Sequence, residues 1–320
     1  MGRALLLGGT GQIGRAAAAR LAGAGWEVVV AARGGPMRVD RTQPGELEAA
    51  VGDGVDVLVD IVAFTRGDGE QLNALAGRVG SLVVISSASV YADDAGRTLD
   101  EASSVETFPR FPLPIPETQP TVAPSDETYS TQKAALEQTV LDGPLPATVI
   151  RPCAIYGVGS ELPRELFFLK RVLDGRTHVV LTSNGESRFH TTSVENIAEL
   201  VRLAAERPGD RVLNCGDPEP PTTSEIGRAV APELEQAFVP ESGYGRRDLS
   251  NPWAVPFPLV VDMRKARDEL GYEPVTGYAH AVQPVRKWLL AEASRRDWTR
   301  TYLGKYFDYA AEDEVLGSRS

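Results

Sequence analysis

Only two cysteines and three histidines occur in the 320 residues. Cys153 and Cys215 lie far apart, each inside an apolar run, with neither the paired spacing of a zinc site nor the density of a disulfide framework. Such thiols are expected to be core packing in a reducing compartment, and no metal centre is expected. Basic residues are in short supply: 33 Lys and Arg stand against 44 Asp and Glu, a net charge of −11. Phosphate backbones and anionic bilayers select a basic face, which excludes nucleic acid and membrane as main partners. Long apolar runs, repeats and low-complexity tracts are also missing. The run Ala4–Leu7 ends in glycines, too short for a signal peptide or a membrane span, and the expected location is cytoplasmic. A hydrophobic content of 42% is ample for one large α/β domain with a smaller lobe.

What is present is an alternation of short apolar runs with helical segments, the pattern of a parallel sheet covered on both faces. It predicts strands at Ala4–Leu7, Glu27–Ala31, Met37–Val39, Val55–Ala63, Ser81–Ser86 and Ala147–Arg151. Helices are predicted at Gln12–Ala24, Glu46–Val51, Glu70–Val79 and from Tyr129 onward, the last capped by Ser125 or Asp126. Later come helices at Pro163–Leu173, Asn196–Ala205, Thr223–Val230, Asp262–Leu270 and Ala279–Arg295, and a strand at Arg211–Cys215. The expected division is a main domain over 1–155, rejoined by 190–216, a lobe over 156–189 and 217–297, and a tail over 298–320. The tail's aromatic start would pack on the lobe or on a second subunit, and its end would fray. Residues 104–128 carry six prolines and are too long for an ordinary connector, so they form a functional flap or stay partly disordered.

Between the first strand and the first helix stand Gly8, Gly9, Thr10, Gly11, Gln12, Ile13 and Gly14. Glycines there let a pyrophosphate approach backbone N–H groups at the positive end of a helix. At the end of the second strand, Ala31-Ala32-Arg33 offers no carboxylate for a ribose hydroxyl but an arginine for a 2′-phosphate. We therefore expect NADP(H), with NAD(H) the other option and Arg33 as a plain solvated charge the bland alternative. Asp40 suits either the adenine amino group or a helix cap, and Val62 and Ala63 would border the same cofactor.

Tyr129 and Lys133 are four apart on a helix and share a face. An ammonium near a phenol favours its ionised form and makes it a usable proton donor and acceptor. The strand end Ser86-Ser87-Ala88-Ser89 supplies hydroxyls for the same substrate oxygen, with Ser86 and Ser89 competing against Ser87.

The glycine loop, Ser86 through Tyr91, Tyr129 with Lys133, Arg151-Pro152 through Tyr156-Gly157, and Lys265 through Tyr272 together resemble the extended short-chain dehydrogenase/reductases, the NAD-dependent epimerase/dehydratase family. The resemblance spans nearly the whole chain. It implies a Rossmann-type doubly wound sheet with a smaller C-terminal substrate lobe, and dimerisation through two helices of each Rossmann domain. It implies a triad in which Tyr129 moves the proton, Ser87 holds the substrate oxygen, and Lys133 binds the nicotinamide ribose and lowers the Tyr129 pKa. Pro152 and Ala154 would line the nicotinamide. Ser89 and Arg188 would meet substrate. Three departures argue against a nucleotide-diphosphate sugar: Ala154 where relatives carry Asn, Arg188 one residue out of step, and the proline-rich insertion. The implied activity is hydride transfer on a carbonyl or secondary alcohol of a small polar molecule. The alternatives are a nucleotide-sugar epimerase or dehydratase with recycled dinucleotide, and a non-catalytic dinucleotide sensor or scaffold. His190 reads as structural, and Glu161 and Glu165 as surface carboxylates.

Overall fold

A computed structural model describes residues 2–244, 249–292 and 295–318. In chain order the strands are β1 (Arg3–Leu7), β2 (Glu27–Ala32), β3 (Met37–Arg38), β4 (Val55–Asp60), β5 (Val79–Ile85) and β6 (Ala147–Pro152). They continue as β7 (Ala154–Tyr156), β8 (His178–Leu181), β9 (Thr191–Ser193), β10 (Arg211–Cys215) and β11 (Glu235–Phe238). The helices are α1 (Gln12–Gly23), α2 (Glu46–Val51), α3 (Arg66–Asn73), α4 (Tyr129–Leu141) and α5 (Leu166–Leu173). After them come α6 (Val194–Glu206), α7 (Thr223–Val230), α8 (Arg264–Leu270), α9 (Tyr278–Glu292) and α10 (Ala310–Gly317).

Seven strands form one parallel sheet in the order β10-β6-β5-β4-β1-β2-β3. This is the parallel sheet covered on both faces that the alternating runs predict, in the Rossmann-type doubly wound order that the resemblance implies. Period-two alternation divides β1 between two cores: Ala4 and Leu6 pack with α1 and α6, while Leu5 and Leu7 pack with α2 and α4. Winding reverses between β1 and β4, which opens a crevice at their carboxyl ends.

A third core gathers Phe167 and Phe168 of α5, Ile226 of α7, Val282 and Leu289 of α9, and Trp298, Leu303 and Tyr306 of the tail. The tail's aromatic start thus packs on its own chain. Its acidic part is anchored as well, by a buried ion pair between Glu312 of α10 and Arg171 of α5. Arg319 and Ser320, expected to fray, lie outside the described residues, as do Ala293 and Ser294 near the expected end of the Ala279–Arg295 helix.

Three boundaries differ from expectation for identifiable reasons. The fourth strand stops at Asp60, because its carboxylate accepts the N–H groups of Val62 (2.9 Å) and Ala63 (2.7 Å) and turns the chain. The next helix covers Arg66–Asn73, not Glu70–Val79. Thr65 and Asp68 close a capping box, and Gly69 lies so near α4 that a Cβ would come within 2.9 Å of Thr139. The Tyr129 helix is capped by Thr128, whose hydroxyl accepts the Thr131 N–H at 3.3 Å, and not by Ser125 or Asp126.

The proline-rich insertion is folded. Asp93 accepts N–H groups from Ala95, Arg97 and Arg110 and pairs with the Arg97 guanidinium. Ile115 bridges to Val261, Tyr91 to Thr121, and Phe108 meets Tyr244 edge-on at 4.9 Å. Among the described residues no helix is long and apolar enough to cross a membrane.

Candidate active site

The crevice holds two cavities that share Gly11 and Glu161 and so form one groove across the strand ends. One, of about 660 Å³, is bordered by Gly8, Thr10, Arg33, Asp40 and Val62. The other, of about 520 Å³, is bordered by Gln12, Ser87, Ser89, Tyr129 and Pro152. Most residues expected to hold a dinucleotide therefore line one continuous surface.

At the middle of the groove, α1 starts after Gly11 with no side-chain cap and no acidic residue in its first turn. Its leading N–H groups are left for an anion. Gly14 lets α1 sit directly on the loop: a Cβ there would come within 2.4 Å of the Gly8 carbonyl oxygen. Ile13 turns its side chain into the core, so only its backbone serves the groove.

At the first cavity, Arg33 forms no ion pair or hydrogen bond of its own among the described residues, whereas Arg41 is committed to Asp60 at 2.6 Å and Asp68 at 3.1 Å. The Thr42 hydroxyl and N–H donate to the Asp40 carboxylate and hold it below its ordinary pKa, with smaller help from Arg33 and Arg38. Asp40 thus stays anionic on the cavity wall. Ala63 is fully buried and offers only its carbonyl.

At the second cavity, Ser87 lies two residues past β5 and its Oγ accepts the Ser89 N–H at 3.1 Å, which leaves its O–H to donate toward Tyr129. Ser86 Oγ and Ser89 Oγ are buried, border the cavity and lack a hydrogen-bond partner among the described residues. Tyr129 opens α4 and leans on Phe64, ring centroids 5.4 Å apart. Lys133, one turn on, is buried beneath it, and its Nζ donates to Ala63 O (2.7 Å) and Ile85 O (3.0 Å).

This geometry corrects the electrostatic expectation. The Tyr129 side chain is about half exposed, yet its phenol lies above its ordinary pKa, raised first by desolvation; the Ser87 hydroxyl pulls it down, and the Asp100 carboxylate adds a smaller upward push. Lys133 is not among the groups that shift it: its ammonium points to the Ala63 and Ile85 carbonyls, and burial lowers its own pKa to about 8. Asp100, just before the insertion, also accepts the Ser130 N–H at 2.8 Å and so steadies the start of α4. No motif marks it in sequence.

Other expected residues lie elsewhere. Ala154 is buried in β7 and faces away, because strand alternation gives the cavity to its neighbours Cys153 and Ile155. Cys153 is thus a wall residue, while Cys215 is packed against Tyr272. Arg188 donates to the Pro220 carbonyl beside Glu225 and borders neither cavity. His190 is buried: its Nδ1 accepts the Val261 N–H at 3.2 Å, so Nε2–H donates to the Asp217 carbonyl at 2.8 Å, and burial keeps the ring neutral. Glu161 is exposed on the rim, as expected, but Glu165 is buried against the Tyr278 hydroxyl, and its pKa is raised by that burial. Wall residues that carry no sequence signal are Leu99, Arg164, Phe189 and Leu259.

A model of the NAD dependent epimerase/dehydratase family matches residues 4–216. The chain is 28% identical over 264 residues to the 2′-dehydrokanamycin reductase of Streptomyces kanamyceticus, an alignment covering 75% of this chain and 69% of that protein. Among solved structures, UDP-N-acetylglucosamine 4-epimerase from Bacillus cereus matches with a TM-score of 0.71 at 17% identity, over 91% of this chain and 100% of that one. The dTDP-glucose 4,6-dehydratase from Bacillus anthracis str. Ames, in complex with NAD, matches with a TM-score of 0.64 at 17% identity, over 92% and 98%. At such identities the two structures bear on the fold alone.

Proposed function

The chain belongs to the NAD dependent epimerase/dehydratase family, and on that premise we propose that it is an NADP(H)-dependent oxidoreductase of a carbonyl or secondary alcohol on a small molecule. The observation that carries this is the convergence of Ser87 and Tyr129 on the cavity that Gln12 and Pro152 also border, with Lys133 directly beneath. The uncapped first turn of α1 and the close seat of Gly14 fit a pyrophosphate, and unpaired Arg33 fits a 2′-phosphate. A bound nicotinamide dinucleotide would supply or accept hydride.

The protein's part is proton transfer and positioning. A phenol held above its ordinary pKa keeps its proton at neutral pH and can give it to a carbonyl oxygen. The Ser87 O–H donates to the same oxygen and favours the charge that develops there. Lys133 has three N–H donors, two of them used, which leaves one for a ribose hydroxyl.

The named reductase relative agrees with this chemistry. The solved epimerase and dehydratase support a second reading, turnover of a nucleotide sugar with tightly held dinucleotide. The distance of Arg188 from the groove and the inward turn of Ala154 count against it. Replacing Tyr129→Phe should lower turnover by roughly 100-fold or more while leaving NADPH affinity within about twofold; unchanged turnover would sink the assignment. Separate titrations should show NADPH binding tighter than NADH, and equal affinity would remove Arg33 from the phosphate role.

A further inference from the structure

Arg164 stands in the wall of the substrate-side cavity, between the loop after β7 and the start of α5. Its Nη1 reaches the Ile155 carbonyl at a long 3.4 Å, and its guanidinium lies 5.8 Å from the centre of the Phe189 ring. No carboxylate pairs with it among the described residues. The two that could are otherwise engaged: Glu161 with Arg296, and Glu165 with the Tyr278 hydroxyl in a buried site that favours its neutral form. A guanidinium has five N–H donors, so four are unclaimed.

The side chains that give it apolar surfaces are Leu99 from the segment before the insertion, Ile155, Phe189 and Leu259. Such walls leave the hydroxyls of a sugar unpaired, at a cost for each. Ser86 Oγ and Ser89 Oγ lie buried and unpartnered on the strand-end side with Ser87, while Gln12, Ser160 and Glu161 add polar groups at the rim. The cavity thus offers hydroxyls around the reacting carbonyl, an apolar middle, and one cation with no ion-pair partner among the described residues, the rim carboxylate of Glu161 being paired with Arg296.

We propose that Arg164 is the specificity residue of this cavity, and that the substrate is a carbonyl compound with an apolar body ending in an acidic group, a carboxylate or a phosphate. The guanidinium fork accepts either anion through two parallel hydrogen bonds. The inference rests on the oxidoreductase reading for the position of the carbonyl, but binding can test it separately from turnover.

The probes are para-acetylbenzoate, para-acetylphenyl phosphate, para-acetylbenzamide and para-aminomethylacetophenone, which share ring and ketone and differ in charge. Each is titrated by calorimetry into protein saturated with NADPH, and again without dinucleotide. One or both acids should bind at least roughly tenfold tighter than the amide, and the amine weakest. In Arg164→Gln the gap should close to about twofold with NADPH affinity unchanged, and Arg164→Lys should restore part of it. Equal binding of acids and amide, tighter binding of the amine, or no binding of any probe at millimolar concentration overturns the proposal. So does an Arg164→Gln protein that loses NADPH affinity but keeps the acid preference. A preference that persists while Tyr129→Phe leaves turnover untouched would strike the oxidoreductase reading and spare Arg164.

Discussion

The two long walls of the groove are built differently. The strand-end wall comes from consecutive β–turn–α units, each contributing a side chain or N–H within a few residues of a strand terminus: Gly11 after β1, Arg33 after β2, Val62 after β4, Ser87 after β5. The facing wall is assembled from segments distant in sequence: Leu99 from just before the insertion, Ser160 to Arg164, Phe189 and Leu259. Hydrogen bonds of the parallel sheet fix the first wall. The second depends on side-chain packing and on a few buried polar links, Asp93 to Arg97 and Arg110, and Asn214 to Tyr91 and Ile115. The first can serve a fixed cofactor, while the second can vary with substrate.

The sharpest way to break the first wall alone is Gly14→Ala. Alanine would gain about 1 kcal/mol of helix propensity. Its Cβ, however, would fall 2.4 Å from both Gly8 O and Gly9 Cα, backbone atoms that cannot swing aside. The clash should win by roughly 1 to 3 kcal/mol in stability and displace the loop from α1. NADPH affinity should fall by about two orders of magnitude or more, measured by fluorescence titration, with the proteolytic pattern of the insertion unchanged. Affinity within threefold of the parent would show that the loop is not the pyrophosphate seat.

The difference between the walls also explains what the sequence revealed. The glycine loop, the strand-end serines and the Tyr129–Lys133 spacing are short-range signals, since each is set by one turn geometry or one helix face. Arg188 looked suitable by local pattern, yet the Pro220 carbonyl draws its guanidinium away from the groove. Arg164 and Asp100 had no pattern at all; both matter only because the chain folds back over the strand ends. Ala154 failed through the two-residue period of β7, which assigns the cavity to its neighbours. The depressed Tyr129 pKa failed because spacing places Lys133 beneath the phenol without saying what the ammonium touches.

Asp93→Ala tests the facing wall. Asp93 is buried, accepts three N–H groups and the Arg97 guanidinium, and these contacts draw its pKa down to about 2 although burial alone would raise it. Removing the carboxylate strands those donors, at a cost on the order of 2 kcal/mol. The segment from Asp94 to Leu113, leading into the insertion, should become susceptible to limited proteolysis, and KM should rise roughly tenfold as Leu99 loses its place. NADPH affinity should stay within about twofold. Loss of NADPH affinity in step with KM would show that the walls are not independent.

The smallest effect concerns the seam where the walls meet, at α4. There Lys133 and Tyr129 shift in opposite senses, the amine down to about 8 and the phenol up, both chiefly through burial. For Lys133 the unfolded chain keeps its proton until about 10.4, so between pH 8 and 10.4 unfolding takes up a proton. The contribution of Lys133 to stability therefore rises with pH across that window. It is flat and unfavourable below, where both states are charged. In Lys133→Met the rise is absent. Urea midpoints of dinucleotide-free protein should then show the parent gaining on the variant by roughly 1 to 3 kcal/mol between pH 8 and 10. A raised Tyr129 pKa works the other way only above about 10, where the unfolded phenol ionises first, so the two contributions separate on the pH axis. Bound dinucleotide that engages the ammonium should move the Lys133 window upward. A parent and variant that track one another at every pH would mean that the ammonium at the base of the groove is solvated, and the seam open to water.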